Sequence, residues 1–203
     1  MTASRVVLWR HGQTAWNLEG RVQGSTDVPL DDVGQSQATR AANLLSGLRP
    51  AAIVSSDLTR AWSTAEPLAA ITGLALRADR RLRERFQGEW EGLSDTDLRE
   101  RYPRELARWD PPGAETYQAV AARVVPAVRE AAEAVESGVL VVVSHGGAIR
   151  AGIAVLLGLP ARARILGPLA NCCWSVLGAD EAGWRLLEHN AGTLPEPVLG
   201  EDR

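Results

Sequence analysis

Three histidines occur in the chain, at positions 11, 145 and 189, and two of them share a context. His11 follows the apolar run Val6-Val7-Leu8-Trp9 and Arg10 and precedes Gly12; His145 follows Val139-Leu140-Val141-Val142-Val143 and Ser144 and precedes Gly146-Gly147. An apolar run that stops at a polar residue and glycine is the pattern of a buried strand running out into a loop. In open α/β sheets ligands bind outside the carboxyl ends of strands, and glycine lets the backbone approach them closely. Two imidazoles brought together at such a place, with guanidinium groups beside them, suit phosphoryl transfer. A neutral imidazole attacks phosphorus to give a phosphohistidine, splitting one displacement into two, while arginine forks hold the equatorial oxygens. Arg10 adjoins His11, and Arg60 falls in the first turn of a helix that follows a strand, where free N–H groups and the helix dipole also favour an anion. The leaving alkoxide needs a proton. Glu84, among Arg81, Arg83 and Arg85, is a candidate donor, although its spacing alone reads equally well as part of a solvated charge run. His189 stands outside this pattern and reads as scaffold.

The elements that must position these residues are legible from periodicity. A strand is predicted over residues 5–9, followed by a long loop over 12–30 carrying Gly12, Asn17, Gly20, Gly24 and Pro29. Helical spacing from Asp31 to Leu48 leads to a second strand over 51–56. Ser56 or Asp57 is placed to cap a helix running to Thr72, which Pro67 should bend or shorten. An outer strand is expected over 74–82, a short helix capped at Ser94 that ends before Pro103, and a loop at Pro111-Pro112-Gly113. A long amphipathic helix follows over 116–137, with Pro126 as a point of bending. The strand 139–143 leads to a helix over 148–157, and strands over 172–177 and 184–188 form a hairpin, with a frayed tail after Gly192. This order predicts an α/β fold: a three-layer αβα sandwich with a mostly parallel sheet containing at least one antiparallel strand. One domain over 1–203 is expected, with a short helical cap segment around 86–115.

Composition narrows the chemistry further. All 22 residues counted as Lys+Arg are arginines. Without lysine there is no Schiff base with a carbonyl, no Walker P-loop and no kinase strand lysine. The scattered histidines and the adjacent Cys172-Cys173 do not have zinc-site spacing, and neighbouring cysteines rarely reach disulfide geometry without strain, so both read as thiols and no metal is expected. A net charge of −3 with 45% apolar residues describes a globular chain with no global attraction to nucleic acid or anionic membrane. The longest apolar stretch, Ala151 to Leu159, is too short to span a bilayer, and the start of the chain does not read as a signal peptide; a cytoplasmic protein is expected.

The segment Leu8-Trp9-Arg10-His11-Gly12-Gln13-Thr14-Ala15-Trp16-Asn17, with Arg21, Gln23-Gly24, Asp27, Pro29-Leu30, Gly34 and Gln37-Ala38 after it, resembles the signature of the histidine phosphatase superfamily, also called phosphoglycerate mutase-like. Ser55-Ser56-Asp57-Leu58-Thr59-Arg60-Ala61, Leu82-Arg83-Glu84, Trp90-Glu91-Gly92-Leu93 and Val143-Ser144-His145-Gly146-Gly147 are similar to its later motifs, in order. The resemblance spans about residues 5–160. It implies that His11 is the phosphorylated nucleophile, that His145 contacts the transferring group, and that Glu84 donates and accepts the proton. It implies that Arg10 and Arg60 bind the phosphoryl oxygens, with Asn17, Thr14, Gln23, Gly24 and Gly146 as further phosphate or substrate contacts; turn formation is the alternative role for Thr14. Trp9 stands where the family usually has a small aliphatic residue, which implies a packing change there.

A mutase must exclude water between two half-reactions, whereas a phosphatase must admit it. The cofactor-dependent mutases of this family carry a longer segment between the positions of Glu84 and His145, so a phosphatase is favoured. Within the family, Asn171-Cys172-Cys173-Trp174 and the motifs near Glu84 are similar to actinobacterial glucosyl-3-phosphoglycerate phosphatases. The expectation is therefore a metal-independent phosphomonoester hydrolase without cofactor, acting on a small acidic phosphate such as a phosphoglycerate derivative or a sugar phosphate. The arginines at 81, 83 and 85 motivate the acidic substrate. The alternatives are a general acid phosphatase, a cofactor-dependent mutase and a catalytically silent phosphate-binding module. The partner is then a small molecule, with neither nucleic acid nor membrane expected; a homodimer stays open.

Overall fold

The computed structural model describes residues 3–180 and 183–192. Its elements in chain order are β1 (Arg5–Arg10), α1 (Ala15–Leu18), α2 (Asp32–Ser46), β2 (Pro50–Ser55), α3 (Thr59–Thr72), β3 (Leu76–Ala78), α4 (Asp95–Arg101), α5 (Pro103–Arg108), α6 (Tyr117–Glu133), β4 (Val139–Ser144), α7 (Gly146–Leu156), β5 (Trp174–Asp180) and β6 (Gly183–Ala191), with single 3-10 turns at Arg80–Leu82 and Gly88–Trp90. The strands form one sheet in the order β3-β2-β4-β1-β5-β6. Neighbours among β3, β2, β4 and β1 run parallel, while β5 is antiparallel to both β1 and β6.

Strand alternation sends side chains to two cores. Val6 and Leu8 of β1, with Leu140 and Val142 of β4, face α6 and α7 through Val120, Val124, Val128, Ile149 and Ile153. Val7, Trp9, Val141 and Val143 face α2 and α3 through Ala38, Ala41, Leu45, Ala61 and Leu68. This is the αβα sandwich that period-2 patterning on both strand faces requires. Trp9 is fully buried in the second core, and its Nε1 donates to the carbonyl of Cys172 at 3.1 Å.

Several boundaries depart from the sequence reading for identifiable reasons. The 12–30 segment is not wholly loop: Thr14 and Asn17 form a reciprocal capping box that starts the single turn α1. The expected strand over 74–82 is only three residues long. It ends where Asp79 caps the following 3-10 turn by accepting from the Arg81 N–H at 2.9 Å. Pro67 does not shorten α3, which continues through it to Thr72. The carbonyl four residues earlier, at Ser63, loses its helical donor, but Ser63 and Pro67 line the same hollow beside α2 and α3, open to water. Between Glu84 and α6 there are two helices rather than one, because Pro103 occupies the first turn of α5, where its missing N–H costs nothing. The long helix α6 stops at Glu133 instead of 137. The strands expected over 172–177 and 184–188 pair antiparallel, while residues 181–182 between them and the expected tail after Gly192 lie outside the described residues.

Candidate active site

The carboxyl ends of β1, β4 and β2 lie side by side and are stitched together by main-chain bonds. The His11 N–H donates to the Ser144 carbonyl at 3.0 Å, and the Ser56 N–H donates to the Val143 carbonyl at 2.9 Å. This register puts His11 and His145 against each other, ring centroids 5.1 Å apart and planes inclined by 55°. Both side chains are almost wholly buried. Nδ1 of His11 lies 2.7 Å from the carbonyl of Gly12. A carbonyl can only accept, so Nδ1 carries the ring proton and Nε2 keeps its lone pair. Burial first, then the charges of Arg60 and Arg10, hold the His11 pKa well below 6.5. Burial, Arg60, His11 and Arg10 do the same for His145, so both rings are neutral at pH 7.

Two backbone-to-backbone approaches make room for this arrangement. A Cβ on Gly34 would sit 2.1 Å from the Gln13 carbonyl oxygen, and one on Gly12 would sit 2.6 Å from that of Gly34. Only glycine lets the start of α2 press on the chain leaving His11. Thr64 of α3 ties the same point from the other side: its hydroxyl accepts from the Gly12 N–H at 3.0 Å and donates to the Arg60 carbonyl at 2.7 Å.

Arg60 is fully buried in the first turn of α3. Its Nη1 donates to the Thr26 carbonyl and its Nη2 to the Gly24 carbonyl, each at 2.7 Å. Its Nε has no hydrogen-bond partner among the described residues. Burial pulls its pKa down to about 10, opposed by Glu84, Asp27 and Glu91, so it stays cationic at neutral pH. Neither Ser56 nor Asp57 caps this helix. The N-cap is Leu58, which has no side-chain cap, and Asp27 supplies one from the preceding loop by accepting from the Thr59 N–H and hydroxyl at 2.8 Å each. Arg10 donates from Nη1 to the Leu169 carbonyl at 2.6 Å, and a Cβ on Gly146 would come within 3.5 Å of its Nε, which places Gly146 beside Arg10.

Glu84 is not part of a solvated run. Its Oε2 accepts from the Gly147 N–H at 2.9 Å, and its Oε1 accepts from the Ala148 and Arg85 N–H groups at 2.9 and 2.7 Å. It thus caps the first turn of α7, whose N-cap, His145, makes no side-chain cap bond. The carboxylate and His145 are consequently fixed on one helix terminus. Arg81 and Arg83 do not extend this site: Arg81 pairs with Asp79 and Glu130, and Arg83 with Asp57.

Asn17 Oδ1 accepts from the Thr14 N–H and hydroxyl and from Asn171 Nδ2, which leaves its own amide N–H groups to be offered elsewhere. The Thr14 hydroxyl is spent in the capping box, as turn formation requires. Gln23 is nine-tenths buried and its Oε1 has no partner among the described residues. Gly24 has φ +55°, and a Cβ there would meet Glu91 Oε1 at 1.9 Å. Glu91 holds the loop by accepting from the Ser25 N–H (2.6 Å), the Thr26 hydroxyl (2.7 Å) and the Gln87 N–H (3.1 Å). His189 bridges Ser175 and the Gly167 carbonyl, a scaffold role.

Four supporting residues escaped the sequence reading as site residues: Ser56, Glu91, Arg123 and Asn171. Ser56, Glu91 and Asn171 lay inside matched motifs, which signalled importance without saying what each touches. Arg123 gave no signal, being one charged residue on the amphipathic helix α6. Both cysteines are free thiols, and burial pushes Cys172 up to about 12. No group of three or more His, Cys, Asp or Glu side chains is placed to hold a metal ion among the described residues, and no described helix is long and apolar enough to cross a membrane.

The profile of the histidine phosphatase superfamily (branch 1) matches residues 6–192. A glucosyl-3-phosphoglycerate phosphatase from Mycobacterium tuberculosis is 42% identical, covering 94% of this chain and 96% of its own length, and one from Mycolicibacterium vanbaalenii is 39% identical over 86% and 84%. A probable phosphoglycerate mutase from Salmonella paratyphi C is 36% identical over 89% and 87%. Among solved structures, a mycobacterial glucosyl-3-phosphoglycerate phosphatase complexed with VO3 superposes with a TM-score of 0.87 at 41% identity, over 93% of this chain and all of that one. Paired histidines at parallel strand ends and the match along nearly the whole chain agree, and this chain belongs to the histidine phosphatase superfamily as a phosphatase.

Proposed function

We propose that this enzyme hydrolyses a small acidic phosphomonoester of the glucosyl-3-phosphoglycerate class through a phosphohistidine at His11, without metal or cofactor. The observation that carries this reading is the pair of neutral, buried imidazoles 5.1 Å apart between Arg10 and Arg60. His11 Nε2, whose lone pair the Gly12 carbonyl leaves free, attacks phosphorus; the P–O bond to the substrate breaks, and the leaving oxygen takes a proton from the Glu84 carboxyl group. Arg10, Arg60, His145, Asn17 and Gly146 surround the phosphoryl oxygens, while Gln23 and Gly24 border the substrate. A water molecule then gives a proton to Glu84 and attacks the phosphohistidine, releasing phosphate and regenerating neutral His11 and protonated Glu84.

Two observations support the acidic substrate. The two mycobacterial relatives named for glucosyl-3-phosphoglycerate are more similar to this chain than the relative named as a mutase. Next to Glu84, the guanidinium of Arg85 stacks on Tyr117 at 4.4 Å, with that of Arg162 at 5.8 Å from the same ring. Neither arginine has a carboxylate partner among the described residues: the buried Arg85 donates to the Glu115 carbonyl and to Gln87 Oε1, whereas Arg162 is exposed and donates to the Arg108 and Trp109 carbonyls, so Arg162, in place of the paired Arg81 and Arg83, is the cation open to an acidic substrate. The chain acts as one domain whose cap is the segment 86–115, and its two thiols suit a reducing cytoplasm.

The test is a set of steady-state rates on glucosyl-3-phosphoglycerate, phosphoglycerates, sugar phosphates and nucleotides in buffer containing EDTA. Turnover with preference for the acidic monoesters is expected. A requirement for added metal, or equal rates on neutral monoesters, contradicts the reading.

A further inference from the structure

We propose that Ser56 sets the tautomer of His145, so that this ring presents an N–H, and not a lone pair, to the transferring phosphoryl group. The proposal rests on the phosphohydrolase reading above and assigns Ser56 as a positioning residue. Ser56 directly follows the second strand and His145 the fourth; both are fully buried, and Ser56 Oγ lies 2.9 Å from His145 Nε2 across 89 positions of sequence. The Leu58 N–H donates to the same Oγ at 3.3 Å. The other ring nitrogen, Nδ1, has no hydrogen-bond partner among the described residues.

A neutral imidazole has one N–H and one lone pair, so two arrangements exist. With the proton on Nδ1, a directed chain forms: Leu58 N–H to Ser56 Oγ, then Ser56 O–H to His145 Nε2. One buried group, Nδ1–H, is then without a partner, and it is the donor an incoming oxygen would meet. With the proton on Nε2, the Ser56 oxygen accepts from both Leu58 and His145, and its own hydrogen has no acceptor in a region closed to water, because no other group is in hydrogen-bond contact with Oγ among the described residues. The Nδ1 lone pair then faces an anion. Buried polar groups left unsatisfied are costly, which selects the first arrangement.

The two catalytic rings thereby carry the same tautomer and show opposite ends to the substrate. His11, with Nδ1–H bound to the Gly12 carbonyl, offers the Nε2 lone pair as nucleophile. His145, with Nε2 bound to Ser56, offers Nδ1–H as donor. A carbonyl can only accept and dictates its partner's state; a hydroxyl can do either, and here the Leu58 N–H decides its direction.

The experiment is 15N NMR of the imidazole nitrogens in the wild-type enzyme at neutral pH, with the three histidines assigned from His11→Gln and His189→Gln spectra, and the same measurement on Ser56→Ala beside its kinetics. His145 is expected as the Nδ1–H form in the wild type and as a mixture with Nε2–H in S56A. The kcat of S56A should fall about 10- to 100-fold, with KM within about 3-fold, as the loss of one oriented donor to the transition state implies. A wild-type His145 protonated on Nε2, or an S56A variant with unchanged tautomer or unchanged kcat, overturns the proposal. If S56A does not fold, the wild-type spectrum alone decides. An enzyme that turns over no phosphomonoester would sink the functional reading, while the tautomer result would still stand or fall by itself.

Discussion

Arg123 donates from Nη2 to the main-chain carbonyl of Glu84 at 3.0 Å, across 39 positions of sequence. The same guanidinium donates to the Arg81 and Arg83 carbonyls at 2.8 and 2.6 Å and is itself held by Glu115 through an ion pair of 2.8 Å. One side chain of α6 thus fixes the irregular backbone that presents Glu84 to α7. Arg123→Met should lower kcat about 10- to 100-fold by letting Glu84 shift. It should also cost about 1–3 kcal/mol of stability for carbonyls left without donors, read by urea unfolding. Lowered stability with wild-type kcat would mean that Arg123 supports the fold alone.

The buried histidines tie stability to acidity. Both have pKa values well below the 6.5 of an unfolded chain, burial being the first cause. Above pH 6.5 they are neutral in both states and contribute no pH dependence. As pH falls below 6.5 the unfolded chain takes up protons that the native state refuses, so stability drops until the native pKa values are passed. The slope should approach about 1.4 kcal/mol per pH unit for each histidine. Denaturant unfolding between pH 7.5 and 5, compared with His11→Gln, checks this; the variant should show the shallower slope, and equal slopes would argue against buried neutral His11.

Much of the fold and part of the site were legible before the structure, for physical reasons that also mark the limit. The strands Arg5–Arg10 and Val139–Ser144 are buried on both faces along their central residues 6–9 and 140–143 and are therefore written as unbroken apolar runs, which located His11 and His145 at their ends. The roles of Ser56, Asn171 and Arg123 come from contacts across 89, 154 and 39 positions, which no local spacing encodes. The same holds for the helix caps. Local chemistry pointed to Ser56 or Asp57 for α3, but Asp27 does the capping from a distant loop. The arginine-rich run 80–85 read as a cationic surface because the sequence could not show that Asp57, Asp79 and Glu130 fold back onto it.

The loop that holds Arg60 depends on the contact between Gly24 and Glu91. Gly24→Ala would place a Cβ 1.9 Å from Glu91 Oε1 at φ +55°, so either the loop or the Glu91 carboxylate that holds it must shift, loosening the two carbonyls that grip Arg60. A loss of at least about 10-fold in kcat/KM is expected, since small misplacements of phosphate-binding groups are costly. Glu91→Ala, which frees the loop without a clash, should lose activity in the same direction. Wild-type kcat/KM in both variants would remove the loop from the account.

Substrate choice is expected to follow Arg162, the exposed one of the two arginines beside Tyr117. Arg162→Met should raise KM for 3-phosphoglycerate about 10-fold while leaving glycerol 3-phosphate, which lacks the carboxylate, within about 2-fold, because a charge-assisted contact is worth about 1.5–3 kcal/mol. Equal changes for both substrates would assign Arg162 to holding the Arg108 and Trp109 carbonyls of the cap, which it also contacts.

The covalent intermediate is the centre of the account. Rapid quenching of the enzyme with a 32P-labelled phosphomonoester, followed by peptide mapping, should give an acid-labile, alkali-stable label on His11 that is absent from His11→Gln and persists longer in Glu84→Gln. Turnover without any such label, or a label on His145 or another residue, would contradict it.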